Sequence, residues 1–143
     1  MRLNILAVGD VVGEGGQDIL SRRLPGLRDE TQAHFVVVNG ENASGVGLTE
    51  EQAWRIRDAG ADAVTLGNHA FGKTQIAACL DETSWLLRPA NLSGRAPGHG
   101  CEIFDLGGVR IRVLNLIGRC DLSWGADNPF TAADRNLERG EAE

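Results

Sequence analysis

The hydrophobic positions fall into short apolar runs, and each of the first three runs ends in a cluster of polar residues. A short apolar run bounded by polar residues and glycine is typical of a strand buried on both faces of a parallel sheet. Apolar residues between the runs recur at helical spacing. This alternation of strand and helix predicts right-handed crossovers and a parallel βαβαβ sheet in an α/β fold. The predicted strands are Leu3–Val8, Phe35–Val38 and Ala63–Leu66.

Two helices are predicted to connect these strands. The first covers Asp18–Leu24 after a flexible glycine turn, and Pro25 is expected to kink or end it. The second helix begins after Thr49, an N-cap residue that Gln52, three positions later, completes as a capping box. Gly60 fits the end of that helix, since glycine accommodates the left-handed conformation common at this position.

The pattern changes in the second part of the chain. After a short predicted helix over Thr74–Leu80, two apolar segments flank the dipeptide Gly-Gly, which is typical of a β-hairpin with a two-residue turn. The arms of this hairpin are Cys101–Leu106 and Val109–Ile117. A last helix is predicted from a cap at Thr131 to about Arg139.

Length and charge limit the class of protein. The 143 residues suffice for a single domain over 1–143, and the formal net charge is −6. Binding to extended nucleic acid normally needs a basic stripe, and the sequence contains none. A small phosphorylated ligand remains compatible with this charge, because a bound metal ion would dominate the local field.

The cysteines and the N-terminus indicate a cytoplasmic protein. Cys79, Cys101 and Cys120 form no C-x-x-C pair, and their odd number favours free thiols in a reducing compartment. The first apolar run is too short for a signal peptide or a membrane span. We therefore expect no membrane association.

The polar clusters after the three strands carry the candidate chemistry. Asp10 follows the first strand, Glu41 and Asn42 follow the second, and Asn68 and His69 follow the third. The carboxyl ends of parallel strands meet at one edge of a sheet, so these side chains are expected to converge. Oxygen ligands together with an imidazole suit divalent metal ions and the phosphate esters that such ions activate.

Each cluster taken alone also has a commoner interpretation. Asp10 would be a turn or helix-cap residue, Glu41 part of a solvated turn, and His69 an exposed loop residue. Gly40, beside Glu41, is expected to allow an unusual backbone conformation. The recurrence at three successive strand ends favours the functional interpretation, because the fold itself brings the clusters together.

The polar clusters and their flanking residues resemble the motifs of a known family. The segments Gly9–Gly13, Asn39–Ala43 and Thr65–His69 are similar to those of the YmdB-type branch of the calcineurin-like dinuclear metallophosphoesterases. The resemblance keeps the family order and covers essentially the whole chain. Further matching segments are Arg88–Asn91, Asn115–Arg119 and Asn128–Phe130.

The resemblance implies a four-layer α/β sandwich with two divalent metal ions (Fe, Mn, Zn or Mg). It also implies phosphodiesterase activity, notably on 2′,3′-cyclic nucleotides, with a metal-bound hydroxide attacking phosphorus. By motif position, Asp10 would bind the first metal and Glu41 would bridge both. Asn42 would complete the first site from this half, and Asn68 would bind the second metal. His69 would protonate the leaving oxygen.

The resemblance also predicts what this chain lacks. Family members continue for about as many residues again, and that half supplies further histidine ligands and the second sheet. The sequence is therefore interpreted as an N-terminal half, with incomplete metal shells and an exposed sheet face that an oligomer would cover. His34 and His99 match no ligand motif. Gly72 stands where the family has an acidic residue, which leaves open the group that orients His69.

Two other functions remain as alternatives. A catalytically inactive fragment, or a module that binds a ligand or partner through the exposed sheet face, is consistent with the missing histidines. A Rossmann-like nucleotide-binding domain is suggested by the glycines of Gly13–Gly16. Their spacing does not match G-x-G-x-x-G, and Asp10 would repel a pyrophosphate.

Overall fold

The computed structural model describes residues 2–120 and 125–138. These residues form a larger parallel sheet, a separate hairpin and four helices. No helix among them has the length and apolar character that crossing a membrane requires. The elements in chain order are β1 (Ile5–Val8), α1 (Gly13–Glu30), β2 (Phe35–Asn39), α2 (Glu50–Asp58), β3 (Ala63–Thr65), α3 (Ile76–Glu82), β4 (Leu86–Leu87), β5 (Cys101–Asp105), β6 (Arg110–Leu114) and α4 (Pro129–Glu138).

The larger sheet is fully parallel, with strand order β1-β2-β3-β4. This confirms the α/β fold and the βαβαβ start that the apolar runs predict. The fourth strand was not predicted, because its two residues, Leu86 and Leu87, are too few to give a periodic signal. The preceding helix, α3, begins at Ile76 and so lies two residues further along the chain than predicted.

Helix α1 is much longer than predicted, and the expectation that Pro25 ends it is wrong. The helix runs from Gly13 through Pro25 to Glu30. An interior proline costs a helix about 3 kcal/mol through the lost hydrogen bond and the ring clash. Burial offsets that cost here, since Leu20 and Leu24 are both buried in the core beneath the helix.

Helix α2 begins as the sequence predicts. The Thr49 side chain accepts a hydrogen bond from the backbone N–H of Gln52 at 3.2 Å. The Gln52 side chain in turn accepts one from the Thr49 backbone N–H at 3.1 Å, which completes the capping box. The helix ends at Asp58, and Gly60 has a φ of +114° just beyond it. The capping box at Thr49 and the glycine at position 60 thus set the two ends of helix α2, which connects β2 to β3.

The predicted hairpin is confirmed. Strands β5 and β6 pair antiparallel, and Leu106 N–H donates to the Val109 carbonyl at 2.9 Å. The turn residues Gly107 and Gly108 have φ values of +66° and +97°. Positive φ at both central positions is the geometry that matches the twist of a two-residue hairpin, and glycine adopts it without strain.

Helix α4 starts earlier than predicted, and Thr131 is not its cap. The helix begins at Pro129, and the Asn128 side chain accepts a hydrogen bond from Phe130 N–H at 2.9 Å. Asparagine is a strong N-cap, and proline at the first helical position has a suitable φ and no N–H to satisfy. The predicted end at Arg139 lies outside the described residues.

The two faces of the larger sheet are covered differently. Val36, Val38 and Val64 pack with helices α1 and α2 in one core cluster. Phe35 points to the opposite face, where its ring contacts that of Phe104 on β5 with centroids 5.0 Å apart. At the β1 edge, Ile5 is 53% exposed. The hairpin therefore covers one part of this face and leaves the β1 edge open.

Asn115, directly after β6, joins the hairpin to the larger sheet. Its side-chain amide donates to the Leu66 carbonyl at 2.6 Å and to the Leu87 carbonyl at 2.8 Å. Its backbone carbonyl accepts from Ala90 N–H at 2.8 Å. The carboxyl ends of β3 and β4 are thus tied to the end of β6.

The expectation of free thiols is confirmed, since Cys79, Cys101 and Cys120 are all unpaired cysteines in the described part of the chain. Burial raises the pKa of the Cys79 thiol, and the nearby charge of Glu50 raises it further. Burial also raises the pKa of the Cys101 thiol. These two thiols are therefore poorly suited to nucleophilic or redox chemistry.

Candidate metal and phosphoester site

The loops that follow the first three strands are held together by backbone hydrogen bonds. Val11 N–H, after β1, donates to the carbonyl of Asn39 at the end of β2. Gly40 N–H, after β2, donates to the carbonyl of Thr65 at the end of β3. These bonds place the three polar clusters at one edge of the sheet, as the sequence predicts.

Asp10 and Asn42 meet across the first two loops. The Asn42 side-chain NH₂ group lies 2.9 Å from one carboxylate oxygen of Asp10 and 3.0 Å from the other. The contact is exposed to solvent. An ionised carboxylate accepts about four hydrogen bonds or ligand contacts, so Asp10 retains oxygen lone pairs for a further partner.

His69 joins the same group from the third loop. Its ring nitrogen Nδ1 lies 2.7 Å from the side-chain oxygen of Asn42. Asp10, Asn42 and His69 therefore form a continuous hydrogen-bonded chain across the loops after β1, β2 and β3. The convergence expected from the three strand ends is seen for these residues.

Glu41 lies against the backbone of the third loop. One of its carboxylate oxygens is 3.4 Å from the backbone nitrogen of His69. A Cβ atom on Gly67 would lie 2.1 Å from that carboxylate oxygen, closer than any real contact. The absence of a side chain at Gly67 therefore leaves room for the Glu41 carboxylate. The sequence motif includes this glycine, but the sequence alone did not show why glycine is needed there.

Gly40 has a different role from the one expected. It is not among the residues with positive φ, so an unusual backbone does not explain it. A Cβ there would lie 3.0 Å from the Ile56 side chain and 3.3 Å from Val64. Gly40 instead lets the loop after β2 pack closely on the core beneath helix α2.

Asn68 occupies the same loop as His69. Together with Phe71 and Gly72, these two residues line a depression in the surface. The structure thus brings Asp10, Glu41, Asn42 and His69 together through side-chain contacts, and it places Asn68 beside His69 in the lining of this depression.

The donor set fits a hard divalent cation in its chemistry. Asp10 and Glu41 provide carboxylate oxygens, and asparagine side chains provide neutral carbonyl oxygens. In the residues that the structure describes, no group of three or more His, Cys, Asp or Glu side chains is placed to hold a metal ion. The remaining ligands of an ion here would come from water, from substrate or from another part of the protein, as is common for Mg²⁺ and similar ions.

The space around Glu41 leads to a first testable prediction. Gly67→Ala should displace the Glu41 carboxylate, which is the mobile end of a side chain, with little change in the free energy of unfolding. A misplacement of about 1 Å in a catalytic constellation costs about 10²-fold in rate, so any turnover that depends on the Glu41 carboxylate should fall by that factor. Kinetics and chemical denaturation measure the two effects.

The matched control is Gly94→Ala, since a Cβ at Gly94 meets open space. It should leave both turnover and stability unchanged. Full activity in the Gly67→Ala protein would show that the position of the Glu41 carboxylate is unimportant.

Comparison with known proteins identifies the family. A family model described as YmdB-like protein matches residues 6–143. The chain belongs to the YmdB-like family. Among curated proteins, the 2′,3′-cyclic-nucleotide 2′-phosphodiesterase of Bacillus subtilis is 41% identical over 133 residues, which are 92% of this chain and 50% of that protein. A putative phosphatase/phosphodiesterase of Mycoplasma genitalium is 33% identical over 135 residues, covering 90% of this chain and 48% of that protein.

Solved structures of similar proteins agree with the fold. A hypothetical protein from Thermus thermophilus superposes with a TM-score of 0.85 and 36% identity, over 94% of this chain and 52% of that one. A novel phosphatase from Mycoplasma pneumoniae gives a TM-score of 0.86 and 30% identity, over 96% and 51% of the two chains. This YmdB-like chain thus spans about half the length of the relatives that it matches.

The other segments that matched the family serve as scaffold. The buried Arg88 guanidinium donates to backbone carbonyls of the following loop, including Pro89 at 2.8 Å and Pro97 at 3.0 Å. Desolvation lowers the pKa of this guanidinium. Asn91 bonds through its side chain to the backbone of Ile117, which lies in a second matched segment, and of Asp127, which directly precedes the third.

Gln17 is a buried polar residue that the sequence did not single out. Its side chain is fully buried in α1 and donates to the Ala43 carbonyl at 3.2 Å. The bond supports the loop that carries Glu41 and Asn42 from beneath. A single glutamine on the predicted helix gives no signal of such a contact, because its partner is 26 residues away in sequence.

Proposed function

We propose that this chain is part of a metal-dependent phosphodiesterase that acts on 2′,3′-cyclic nucleotides. The observation that supports it best is the hydrogen-bonded chain of Asp10, Asn42 and His69, with Glu41 beside it, at three adjacent strand ends. The printed activity of the Bacillus subtilis relative supports the choice of substrate class.

The proposed metal ligands are Asp10, Glu41, Asn42 and Asn68. Asp10 and Asn42 would serve a first ion, Asn68 a second, and Glu41 would bridge the two. Divalent ions of Fe, Mn, Zn and Mg are all compatible with these oxygen donors. Divalent ions in such sites polarise the phosphoryl oxygens and supply a hydroxide at neutral pH.

Charge supports the metal dependence. A cyclic phosphate is an anion, and the residues that would receive it include the carboxylates of Asp10 and Glu41. Like charges at close range repel, so these carboxylates would oppose substrate binding unless cations lay between them and the phosphate. The net charge of −6 likewise favours a small ester over extended nucleic acid.

His69 is the proposed general acid. Cleavage of the ester P–O bond leaves negative charge on the departing ribose oxygen. An imidazolium placed beside that oxygen transfers its proton as the bond breaks, so that the product leaves as a neutral hydroxyl. A positioned acid of this kind contributes about 10²–10⁴-fold in rate.

We also propose a cytoplasmic location. The support is the presence of three free cysteines, one of which, Cys120, is exposed. Free exposed thiols persist in a reducing compartment and are rapidly oxidised outside it.

The test is an assay of two proteins. One is this chain, and the other is this chain fused to the second half of the Bacillus subtilis relative, called here the joined protein. Both are incubated with Mn²⁺ and either 2′,3′-cyclic AMP or bis-p-nitrophenyl phosphate. We expect the joined protein to hydrolyse both esters and to lose activity on metal removal by a chelator. A folded joined protein without metal-dependent turnover would contradict the proposal.

A non-catalytic binding module is the second candidate. The open β1 edge, where Ile5 is 53% exposed, favours it because an uncovered strand edge readily pairs with another chain. A chain that forms dimers by light scattering and shows no turnover, alone or joined, would support this candidate.

A further inference from the structure

The side-chain amide of Gln52 makes four hydrogen bonds. Its oxygen Oε1 accepts one from the Thr49 backbone N–H at 3.1 Å and one from the Ser44 hydroxyl. Its nitrogen Nε2 donates to the Ala43 carbonyl at 3.2 Å and to a carboxylate oxygen of Glu14 at 3.2 Å. A backbone N–H only donates, whereas carbonyl and carboxylate oxygens only accept, so these partners fix the orientation of the amide. Both donors and both acceptor positions of the amide are therefore used.

The capping box of α2 accounts for only half of these bonds. In a capping box the residue three positions after the N-cap supplies an acceptor, and glutamate serves as well as glutamine. The box therefore does not explain why position 52 is glutamine. What glutamine adds is the NH₂ group, and both of its donors bond outside α2, to Ala43 in the loop after β2 and to Glu14 in α1. The amide thus has a task besides starting the helix.

The Ala43 carbonyl is held from two helices. Gln17 in α1 donates to it at 3.2 Å, and Gln52 in α2 donates to it at 3.2 Å. A carbonyl oxygen has two lone pairs, so the two amides satisfy it fully. Ala43 directly follows Glu41 and Asn42 in the chain. The two amides therefore hold the backbone segment that carries both of these site side chains.

We propose that Gln52 is a positioning residue that orders the loop after β2 through the Ala43 carbonyl. Its effect on a metal ion rests on the proposed function, in which Glu41 and Asn42 are ligands. Its effect on the order of the loop does not. A binding site needs its side chains held to within about 0.5 Å by contacts that lie around it. Gln52 supplies such a contact without reaching the site itself.

The substitution Gln52→Glu separates the two tasks of this residue. It keeps the size and the acceptor that the capping box needs, but a carboxylate cannot donate to the Ala43 carbonyl. The measurement is amide hydrogen exchange by NMR on this chain, with chelator and no substrate. The reporters are Gly13 and Gly45, whose N–H groups donate to the Asn42 carbonyl at 3.0 and 2.8 Å. We expect both to exchange about tenfold faster, as for the loss of one hydrogen bond.

A reporter in the first turn of α2 distinguishes this effect from a weakened helix. Ala53 N–H donates to the Thr49 carbonyl at 2.9 Å, and its exchange rate should not change in the Gln52→Glu protein. If Ala53 accelerates together with Gly13 and Gly45, Gln52 acts only in starting the helix and the proposal is wrong. Unchanged rates at Gly13 and Gly45 would overturn it equally.

A second variant separates the lost donor from charge repulsion. Gln52→Glu places a carboxylate beside that of Glu14, whereas the double variant Glu14→Gln/Gln52→Glu has the original net charge and still lacks the donor to Ala43. We expect fast exchange in the loop to persist in the double variant. A return to the original rates would mean that repulsion caused the change, and would overturn the proposal. Glu14→Gln alone is the control and should leave the loop unchanged, because its amide oxygen still accepts from Gln52.

The double variant also tests the consequence for metal binding, because its net charge is unchanged. In the joined protein, titration calorimetry should show Mn²⁺ affinity lower by about 10- to 100-fold, as for the loss of other groups that orient metal ligands. Equal affinity in a joined protein that binds Mn²⁺ would overturn the proposal. The exchange measurement uses no metal and no substrate. A loosened loop without turnover in the joined protein would therefore refute the proposed function and leave the role of Gln52 standing.

Discussion

Glu41→Gln is expected to lower the Mn²⁺-dependent turnover of the joined protein by at least about 10²-fold. Glutamine has nearly the same size as glutamate and retains an oxygen that can accept the bond from His69 N–H. What it removes is one negative charge at the proposed bridging position. A neutral amide attracts two cations far less than a carboxylate does, so Mn²⁺ affinity should fall together with turnover.

Glu51→Gln provides the matched control. Glu51 lies exposed in the first turn of α2, outside the proposed site, and its substitution makes the same change in charge. Titration calorimetry measures Mn²⁺ affinity, and hydrolysis of bis-p-nitrophenyl phosphate measures turnover. If the Glu41→Gln protein has the same turnover and the same Mn²⁺ affinity as the Glu51→Gln protein, Glu41 does not bridge two metal ions.

His69→Ala is expected to lower turnover by about 10²–10⁴-fold while leaving Mn²⁺ affinity nearly unchanged. The reason is that the imidazole is proposed to supply a proton and not to bind metal. The loss of turnover caused by His69→Ala should be smaller for bis-p-nitrophenyl phosphate than for 2′,3′-cyclic AMP. Nitrophenolate is a stable leaving group that needs little protonation, whereas a ribose oxygen leaves poorly as an anion.

His34→Ala serves as the control, because His34 is exposed and bonds to Asn4 at the amino ends of the strands, away from the site. It should retain full activity on both esters. Loss of Mn²⁺ from the His69→Ala protein would identify His69 as a metal ligand. An equal loss of rate with both esters would argue against its role as the acid.

The sequence predicted the main features of the site because the fold makes them local. Each polar cluster directly follows an apolar run, and parallel strands bring their carboxyl ends together whatever the length of the intervening helices. Asp10, Asn42 and His69 could therefore be placed at one edge before their contacts were known. The capping box of Thr49 and the glycine turn of the hairpin were predictable for the same reason, since both depend on neighbouring residues.

The features that the sequence did not reveal depend on distant contacts. Helix α1 continues through Pro25 because the core beneath it outweighs the cost of the proline, and local propensity contains no information about that burial. Position 67 has to be glycine because the carboxylate of Glu41, 26 residues earlier in the chain, occupies the space of a side chain. At Gly40, the Ile56 side chain of α2 restricts the space in the same way. The orientation of the Asn42 amide likewise depends on hydrogen-bond partners from two other loops.

The Asn115 side chain donates hydrogen bonds to carbonyls at the ends of β3 and β4, so the loop that bears His69 depends on the hairpin for support. Asn115 follows β6, and its bond to the Leu66 carbonyl anchors the chain three residues before His69. When the hairpin opens in a local fluctuation, this anchor is released and the loop bearing the imidazole loses its support. The two regions should then exchange their amide protons as one cooperative unit. The order of the loop that bears His69 should therefore depend on a pair of strands that contributes no residue to the proposed site.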